Sequence, residues 1–490
     1  MKPAAALALV LGLGSAAGAQ DLGLDLASAA RPVPLVSEDW VPGILTFRGT
    51  PARSGHATGS LPRRPAVLWR TGTYCGPSTD QHGTRQWCGT GWTGQPAIRP
   101  LGPGRAEVIF GAYDHRVHFL DSRTGEDIRA PFRTGDIIKG SVSLDPSGLP
   151  LLYTGSRDDF VRVLRLDATE AVELWRLDGN APDGIWNNDW DASPLILGDV
   201  MFQGGENGWF HVVRLNRVTG PDGTVTVAPE MVNRIAGFTP ELFAAVGDRM
   251  ASIENSTMAT GGAVWFANSA GLVQGYDIAA LLDGKSRDEA LVMEWRTGDD
   301  VDATLVGGPD GAIYVAVEDE RRPSPDKTAT GHLARLDPAR PDDPLDWSLT
   351  FPGTYQGDGG VWATPALHRG YLHVPTHAGG LFTVDALTGT VTQELPLPGH
   401  GWSSPVVVGE ELLVGTCDGD LIAYALTDPA RPRELWRFRP PGAGCWESTP
   451  AVWDGVIYLG NRNGYFYAIG EDTAVPGDLW AGGALDAVLQ

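Results

Sequence analysis

The chain has 490 residues, 60 of them acidic against 37 basic, and a formal charge of −23. A surface of that sign repels phosphate backbones, which excludes nucleic acid as a partner. Because 42% of the residues are apolar, the 64 glycines and 37 prolines mark many tight turns rather than disorder.

The N-terminus reads as an export signal. Lys2 gives a positive start, Ala4 to Gly14 is apolar, and Ala17-Gly18-Ala19 is a small-residue cleavage motif. Residues 1–19 are therefore expected to be removed. No cysteine follows the cut, so no lipid anchor is expected there. The apolar stretch is too short for a membrane span and no later run is long enough. These features predict a periplasmic or extracellular soluble protein, and a monomer. Residues 20–66 form a leader without internal counterpart, expected to run across the molecule. Residues 67–472 carry the fold, and 473–490 form a tail.

From Trp69 to Gly470 one string recurs about eight times: Ser/Thr-Pro, an apolar run, a glycine-bounded second run, apolar-x-apolar-Asp, then Trp. Gln95-Pro96 opens the first copy, which includes Asp121 and the turn Thr124-Gly125. Gly140-Ser141 opens the second, ending at Trp175. Ser193-Pro194, Asn255-Ser256 (ending at Trp295) and Ala303-Thr304 (ending at Trp347) open the next three. Thr364-Pro365, Ser404-Pro405 (ending at Trp436) and Thr449-Pro450 open the last three. Apolar residues alternating over short runs predict half-buried strands, and Asp-x-x-Thr-Gly predicts a hairpin turn. Units of four short strands pack radially, so the expected fold is all-β, an eight-bladed β-propeller. Seven blades are the alternative, if Trp69 to Arg129 holds no complete unit. Helix is expected to be scarce, with Pro240 to Val246 the best short segment. The inserts Pro221 to Thr239 and Arg321 to Gly331 are expected to be loop excursions.

Four cysteines in an exported chain permit disulfides. Cys75 and Cys88 bracket one Gly-rich loop and are expected to pair. Cys417 and Cys445 are placed to staple blade 7 to blade 8. The ten histidines, His82, His373 and His377 among them, show no metal-ligand spacing.

The repeat resembles that of the PQQ-like propellers, shared by quinoprotein alcohol dehydrogenases and by non-catalytic exported proteins. The resemblance covers residues 40 to 470. In those dehydrogenases the blade bearing the catalytic base carries Asp-x-Trp-Asp, then Arg-Asn-Gly, then Leu-Asp-Arg. Here the third copy reads Asn188-Asp189-Trp190-Asp191, then Glu206-Asn207-Gly208, then Leu215-Asn216-Arg217. The resemblance thus places Asp191 at the general base, with PQQ and Ca²⁺ as the cofactors it implies. It also implies losses. Glu206 stands where an arginine would contact the anionic quinone, Ser156 stands where an asparagine would ligate calcium, and the vicinal disulfide is missing. The resemblance is therefore closer to the exported non-catalytic members, and a binding scaffold is expected. A divergent PQQ-dependent alcohol or sugar dehydrogenase is the alternative.

Propeller function concentrates where the innermost strands converge. Strand side chains alternate, so the residue two before each Ser/Thr shares its side of the strand. Around the ring that position reads Thr93, Lys139, Asp191, Glu254, Asp302, Trp362, Trp402 and Glu447. Asp191, Glu254 and Asp302 come from three adjacent blades. Converging carboxylates raise one another's pKa unless a cation intervenes. That cation is Lys139 or a hard metal such as Ca²⁺, to which Asn255, Asp189 and Asp300 add oxygens. Trp92, Trp190, Trp362, Trp402 and Trp446 each lie three or four residues before a proline. They read as packing between blades or as an aromatic lining for a ligand. An unidentified protein or small molecule at this channel face is the expected partner.

Overall fold

A computed structural model of the protein describes residues 40–57, 59–80, 83–91, 94–180, 183–320 and 330–473. The signal, the first part of the leader, nearly all of the tail, His82, Trp92, Thr93 and most of the 321–331 insert fall outside them.

Eight four-stranded antiparallel sheets follow one another along the chain. Seven take their strands in simple sequence order. The eighth is built from Ala451–Trp453, Val456–Gly460 and Tyr465–Glu471, and is completed by Pro65–Gly72 from the other end of the chain. The first blade proper therefore opens at Ala97, not at Trp69. The backbone N–H of Asp472 donates to the carbonyl of Arg64 at 2.8 Å, so the two ends of the ring meet. The irregular stretch after Trp69 is an extra hairpin, Cys75–Asp80 against Gly83–Cys88, preceding a complete blade. That makes the count eight. The longest helix among the described residues is the seven-residue Pro240–Val246, capped by Thr239, whose hydroxyl accepts from the Leu242 N–H.

The repeated residues have identifiable mechanical roles. The hydroxyls of Ser141, Ser256, Thr304, Thr364 and Ser404 each tie one blade to the next. Gln95 N–H donates to Ser141 Oγ at 2.8 Å and Ser193 N–H to Ser256 Oγ at 3.0 Å. Ser256 N–H donates to Thr304 Oγ1, Thr304 N–H to Thr364 Oγ1, and Thr364 N–H to Ser404 Oγ, at 2.9, 3.0 and 3.0 Å. These bonds satisfy backbone groups that the short innermost strands leave over. The closing tryptophans dock on the following blade's turn. Trp69 lies against Gly125 and Trp347 against Gly389, where an added Cβ would come within 2.7 Å of the indole. Both glycines also have positive φ, 73° and 71°, so no other residue fits there without strain. Between blades the inner residues form apolar clusters; Leu195, Phe202, Phe210, Phe266 and Tyr276 join blades 3 and 4.

The leader closes one end of the channel. Ile44 bridges to Ile98 of blade 1, Leu45 accepts from Leu144 of blade 2, and Pro51 accepts from Ala259 of blade 4. Ala52 accepts from Gly307 of blade 5, and Ala57 donates to Val407 of blade 7. Arg48 reaches the carbonyls of Pro365 and Pro405 on blades 6 and 7. Arg53 binds the carbonyl of Thr257. All of these lie on the strand side of the Ser/Thr ring, opposite the candidate site.

Two disulfides are present, Cys75–Cys88 and Cys417–Cys445. The second joins the end of a blade 7 strand to the chain entering blade 8, closing 28 residues. Opening it with Cys417→Ser and Cys445→Ser is expected to lower unfolding free energy by about 3 kcal/mol. Urea midpoints of the double variant read this directly, and an unchanged midpoint would show that the bond carries no stability.

Candidate functional site

The other mouth of the channel is lined by two sets of residues. One is the position two before each Ser/Thr. The other follows each blade's second strand, two residues before a backbone position with positive φ. Arg157 precedes Asp159, Glu206 precedes Gly208 and Ser269 precedes Gly271. His377 precedes Gly379, Cys417 precedes Gly419 and Arg462 precedes Gly464. Members of the two sets meet around the ring. Ser269 Oγ donates to Glu254 Oε1 at 3.4 Å, Arg462 lies 3.3 Å from Glu447, and the Trp402 indole N–H donates to His377 Nδ1 at 2.7 Å.

Blades 2 to 5 form the acidic side. Lys139 is ion-paired with Asp191. Arg157 Nε lies 2.5 Å from Asp189 Oδ2, and the Asn187 amide spans Asp189 and Glu206 at 2.8 and 2.9 Å. Asp191, Glu206 and Glu254 each bring an oxygen within 4.8 Å of the others. That trio could hold a hard cation. Asp302, expected from the sequence in that trio, lies outside the group, and Glu206 takes its place. Asp302 Oδ1, Glu318 Oε1 and Glu206 Oε1 are buried without a hydrogen-bond partner among the described residues.

Burial dominates the electrostatics here. It pushes the Asp189 carboxyl up to about 6, against the opposing charge of Arg157. Glu206 and Glu254 are held well above the usual carboxylate range by burial and then by neighbouring acids, Glu254 for the first and Asp302 for the second. Asp302 and Glu318 are raised in the same way, by burial and then by Asp300 and Asp302 respectively. Burial opposes the charge on Lys139, but Asp191, Glu206, Glu254 and Asp189 outweigh it and keep the ammonium protonated.

Blades 6 and 7 form an aromatic side. Trp362 and Trp402 stack with centroids 5.1 Å apart and planes 6° from parallel, and Trp362 also stacks on His377 at 4.7 Å. Tyr355 stacks on His400 at 4.3 Å. Burial lowers the His377 pKa, and His400 is held at about 4 by burial and by His377. Both rings are neutral, and accepting the Trp402 N–H leaves the His377 proton on Nε2. Beside His400, Cys417 and Cys445 are joined to each other and offer no thiolate to a metal.

Three candidates are placed elsewhere. Asn255 spends its amide on backbone groups, donating to Ala267 and Val301 carbonyls and accepting from the Ala267 N–H. It stitches blade 4 to blade 5. Trp190 is packed between blades 2 and 3 and donates to the Asp159 carbonyl, and Trp446 is likewise enclosed between blades 7 and 8. Glu318 and Arg157 are the functional-face residues the strand register alone does not reveal. Their signal is the second position described above; an inserted loop in blade 5 obscures it for Glu318. A cavity of about 970 Å³, lined among others by Arg48, His56, Tyr314 and Tyr371, lies on the leader side of the ring.

Pyrroloquinoline quinone is a planar tricarboxylate, and these residues do not fit it. Where its anionic edge would need donors, the mouth presents Glu206 and Asp191 oxygens already crowded by Glu254.

Fold and mouth together define an eight-bladed β-propeller with one plugged and one charged, aromatic end. No protein-family description matches the chain, and no curated protein is found similar to it in sequence. Solved structures do share the fold. A quinohemoprotein alcohol dehydrogenase from Pseudomonas putida HK5 aligns with a TM-score of 0.58 at 11% identity, covering 87% of this chain and 80% of its own. BamB from Moraxella catarrhalis aligns at 0.53 and 17% identity, over 76% of this chain and 93% of its own. Sqt1 from Saccharomyces cerevisiae aligns at 0.55 and 11% identity, over 77% and 95%. At these identities the likeness is one of fold.

Proposed function

We propose that this protein is an exported binding propeller that takes a ligand or partner protein at the open mouth of its channel, and not a quinone-dependent dehydrogenase. The asymmetry of the ring carries this reading. The leader seals one end with backbone hydrogen bonds to blades 1, 2, 4, 5 and 7, whereas the other end collects stacked aromatics and buried carboxylate oxygens that have no partner among the described residues. Scaffold stability does not require uncompensated buried acids, so their retention at one face points to a ligand there. The export signal and two disulfides support the location. Asp191 remains the residue that would act as base under the dehydrogenase reading, but Lys139 already pairs with it and Glu206 opposes an anionic quinone.

Two measurements test the proposal. Reconstitution with PQQ and Ca²⁺, followed by dye reduction with alcohols and sugars, is expected to give no turnover. Photo-crosslinking residues placed at exposed Trp186 or Tyr355 on the open face are expected to trap a partner, and one placed at exposed Leu387 on the leader face is not. Turnover, or trapping from the leader face alone, would overturn it.

A further inference from the structure

The leader that closes one end of the channel also walls the cavity of about 970 Å³ beside blades 5 to 7. Arg48 and His56 of the leader line it, together with Tyr314 of blade 5 and Leu367, Tyr371 and Leu387 of blade 6. Its inner end is enclosed and its outer end open: Arg48 is 4% exposed and Leu387 68%. Arg48 holds a left-handed backbone, φ 60°, which a long side chain keeps only where the surrounding fold fixes it. Two of its five N–H donors go to the Pro365 and Pro405 carbonyls. Its Nε is buried without an acceptor, and no carboxylate among the described residues pairs with it. Burial accordingly lowers its pKa to about 10. The other charged groups of the lining are engaged. Asp310 pairs with Arg335 and Arg369 with Glu410, each at 2.7 Å, and Asp385 Oδ1 accepts the Leu387 and Thr388 N–H groups. His56 Nε2 lies 2.8 Å from the Leu367 carbonyl, and burial and the nearby Arg48 charge lower the His56 pKa. Arg48 is thus the cation of the described lining that lacks an anion. A cation taken out of water without a counter-charge is costly, and one retained at a cavity is set to receive an anion from outside.

We infer that this cavity is a binding site for a free organic monocarboxylate, its carboxylate against Arg48 and its apolar body along Leu367 and Tyr371 toward Leu387. The unspent N–H donors, one on Nε and one on each Nη, suit the two oxygens of a carboxylate. One enclosed guanidinium balances one negative charge, so a doubly charged phosphate is disfavoured. Ile44, Leu367, Leu387 and Val406 in the lining favour a hydrocarbon body over a hydroxylated one. The leader then has a second role, which is to carry the anchoring cation. The site lies at the opposite end of the ring from the open mouth and is independent of what binds there.

Calorimetric titration of the full chain at pH 7 and 0.15 M salt, with octanoate and with phenylpropionate, tests this. Binding of at least one of these acids at one site per chain is expected. Octanol and inorganic phosphate should bind more weakly by about ten-fold or more. Arg48→Gln keeps amide donors for the proline carbonyls but removes the charge, and should weaken Kd by about ten-fold or more. Lys285→Gln removes an exposed cation of blade 4 and should leave Kd unchanged. Melting curves recorded alongside show whether Arg48→Gln is folded, and a second measurement needs no variant. The acid that binds, carrying a diazirine at its far end, is expected to label Tyr371 or Leu387 of the unmodified protein, and an excess of the plain acid should suppress the label. Absence of binding by both acids, equal affinity in folded Arg48→Gln, octanol binding as tight as octanoate, or label confined to other residues would overturn the inference. Each of those results leaves the open-mouth reading standing, because that reading is tested by protein capture at the other face.

Discussion

Replacing Arg53 by alanine is expected to lower the free energy of unfolding by about 3 to 5 kcal/mol. Arg53 is fully enclosed, and burial alone drops its pKa to about 9. Its Nε donates to the Thr257 carbonyl at 2.8 Å, and Nη1 to the Phe47 carbonyl and Thr46 Oγ1, both at 2.7 Å. Thr46 Oγ1 in turn lies 2.9 Å from Ser143 Oγ, which lies 2.9 Å from Ser193 Oγ. One side chain thus ties the leader to blades 2, 3 and 4 at the axis. Alanine orphans two buried carbonyls and leaves the volume of a guanidinium empty. Losing the buried charge offsets part of that, so the net falls below the sum of three charged hydrogen bonds. Arg53→Met fills the volume without the donors and should lose less. Urea unfolding of the three proteins measures the difference. A loss under about 1 kcal/mol for the alanine variant would show that the leader is held without this clasp.

The second large effect is in pH. A carboxyl whose folded pKa is raised holds its proton more tightly folded than unfolded. Its contribution to stability is complete below the unfolded value, near 4.5 for glutamate, and is lost as pH rises toward the folded value. Glu206, Glu254, Asp302 and Glu318 all act in this direction, and Asp189 does so between about 4 and its folded value of about 6. Glu318→Gln supplies a neutral side chain of the same shape at every pH. The variant should therefore match wild type near pH 4.5 and become more stable than it above, by at most about 1.4 kcal/mol for each pH unit. Comparing the two proteins is necessary because buried histidines oppose the trend. His211 and His373 are held at about 3 by burial, and both lose stability as pH falls below about 6.5. Urea midpoints at pH 5 and 7.5 give the result. A difference that does not grow with pH would mean that Glu318 is ionised in the fold and compensated.

Much of this was legible in the chain itself because it is carried by local chemistry. The Ser/Thr-Pro strand, the Asp-x-x-Thr-Gly turn and the closing Trp each act within one blade or on the next. A short-range pattern repeated eight times therefore determined the propeller, and a separate local segment the helix at Pro240–Val246; the register that placed Asp191 and Glu254 together did not bring Asp302 into the same trio. Three things were decided only by tertiary structure. Pro65–Gly72 closes the eighth blade rather than opening the first, since strand pairing joins residues about 400 positions apart and no local signal marks it. Asn255 and Trp190 adjoin Glu254 and Asp191 on the chain, yet their side chains turn to backbone groups and to an inter-blade seam, where burial rewards the direction that satisfies every polar atom. Which acid each cation pairs with depends on side chains from different blades reaching the same few ångströms around the axis. That convergence belongs to the closed ring, and no stretch of sequence contains it.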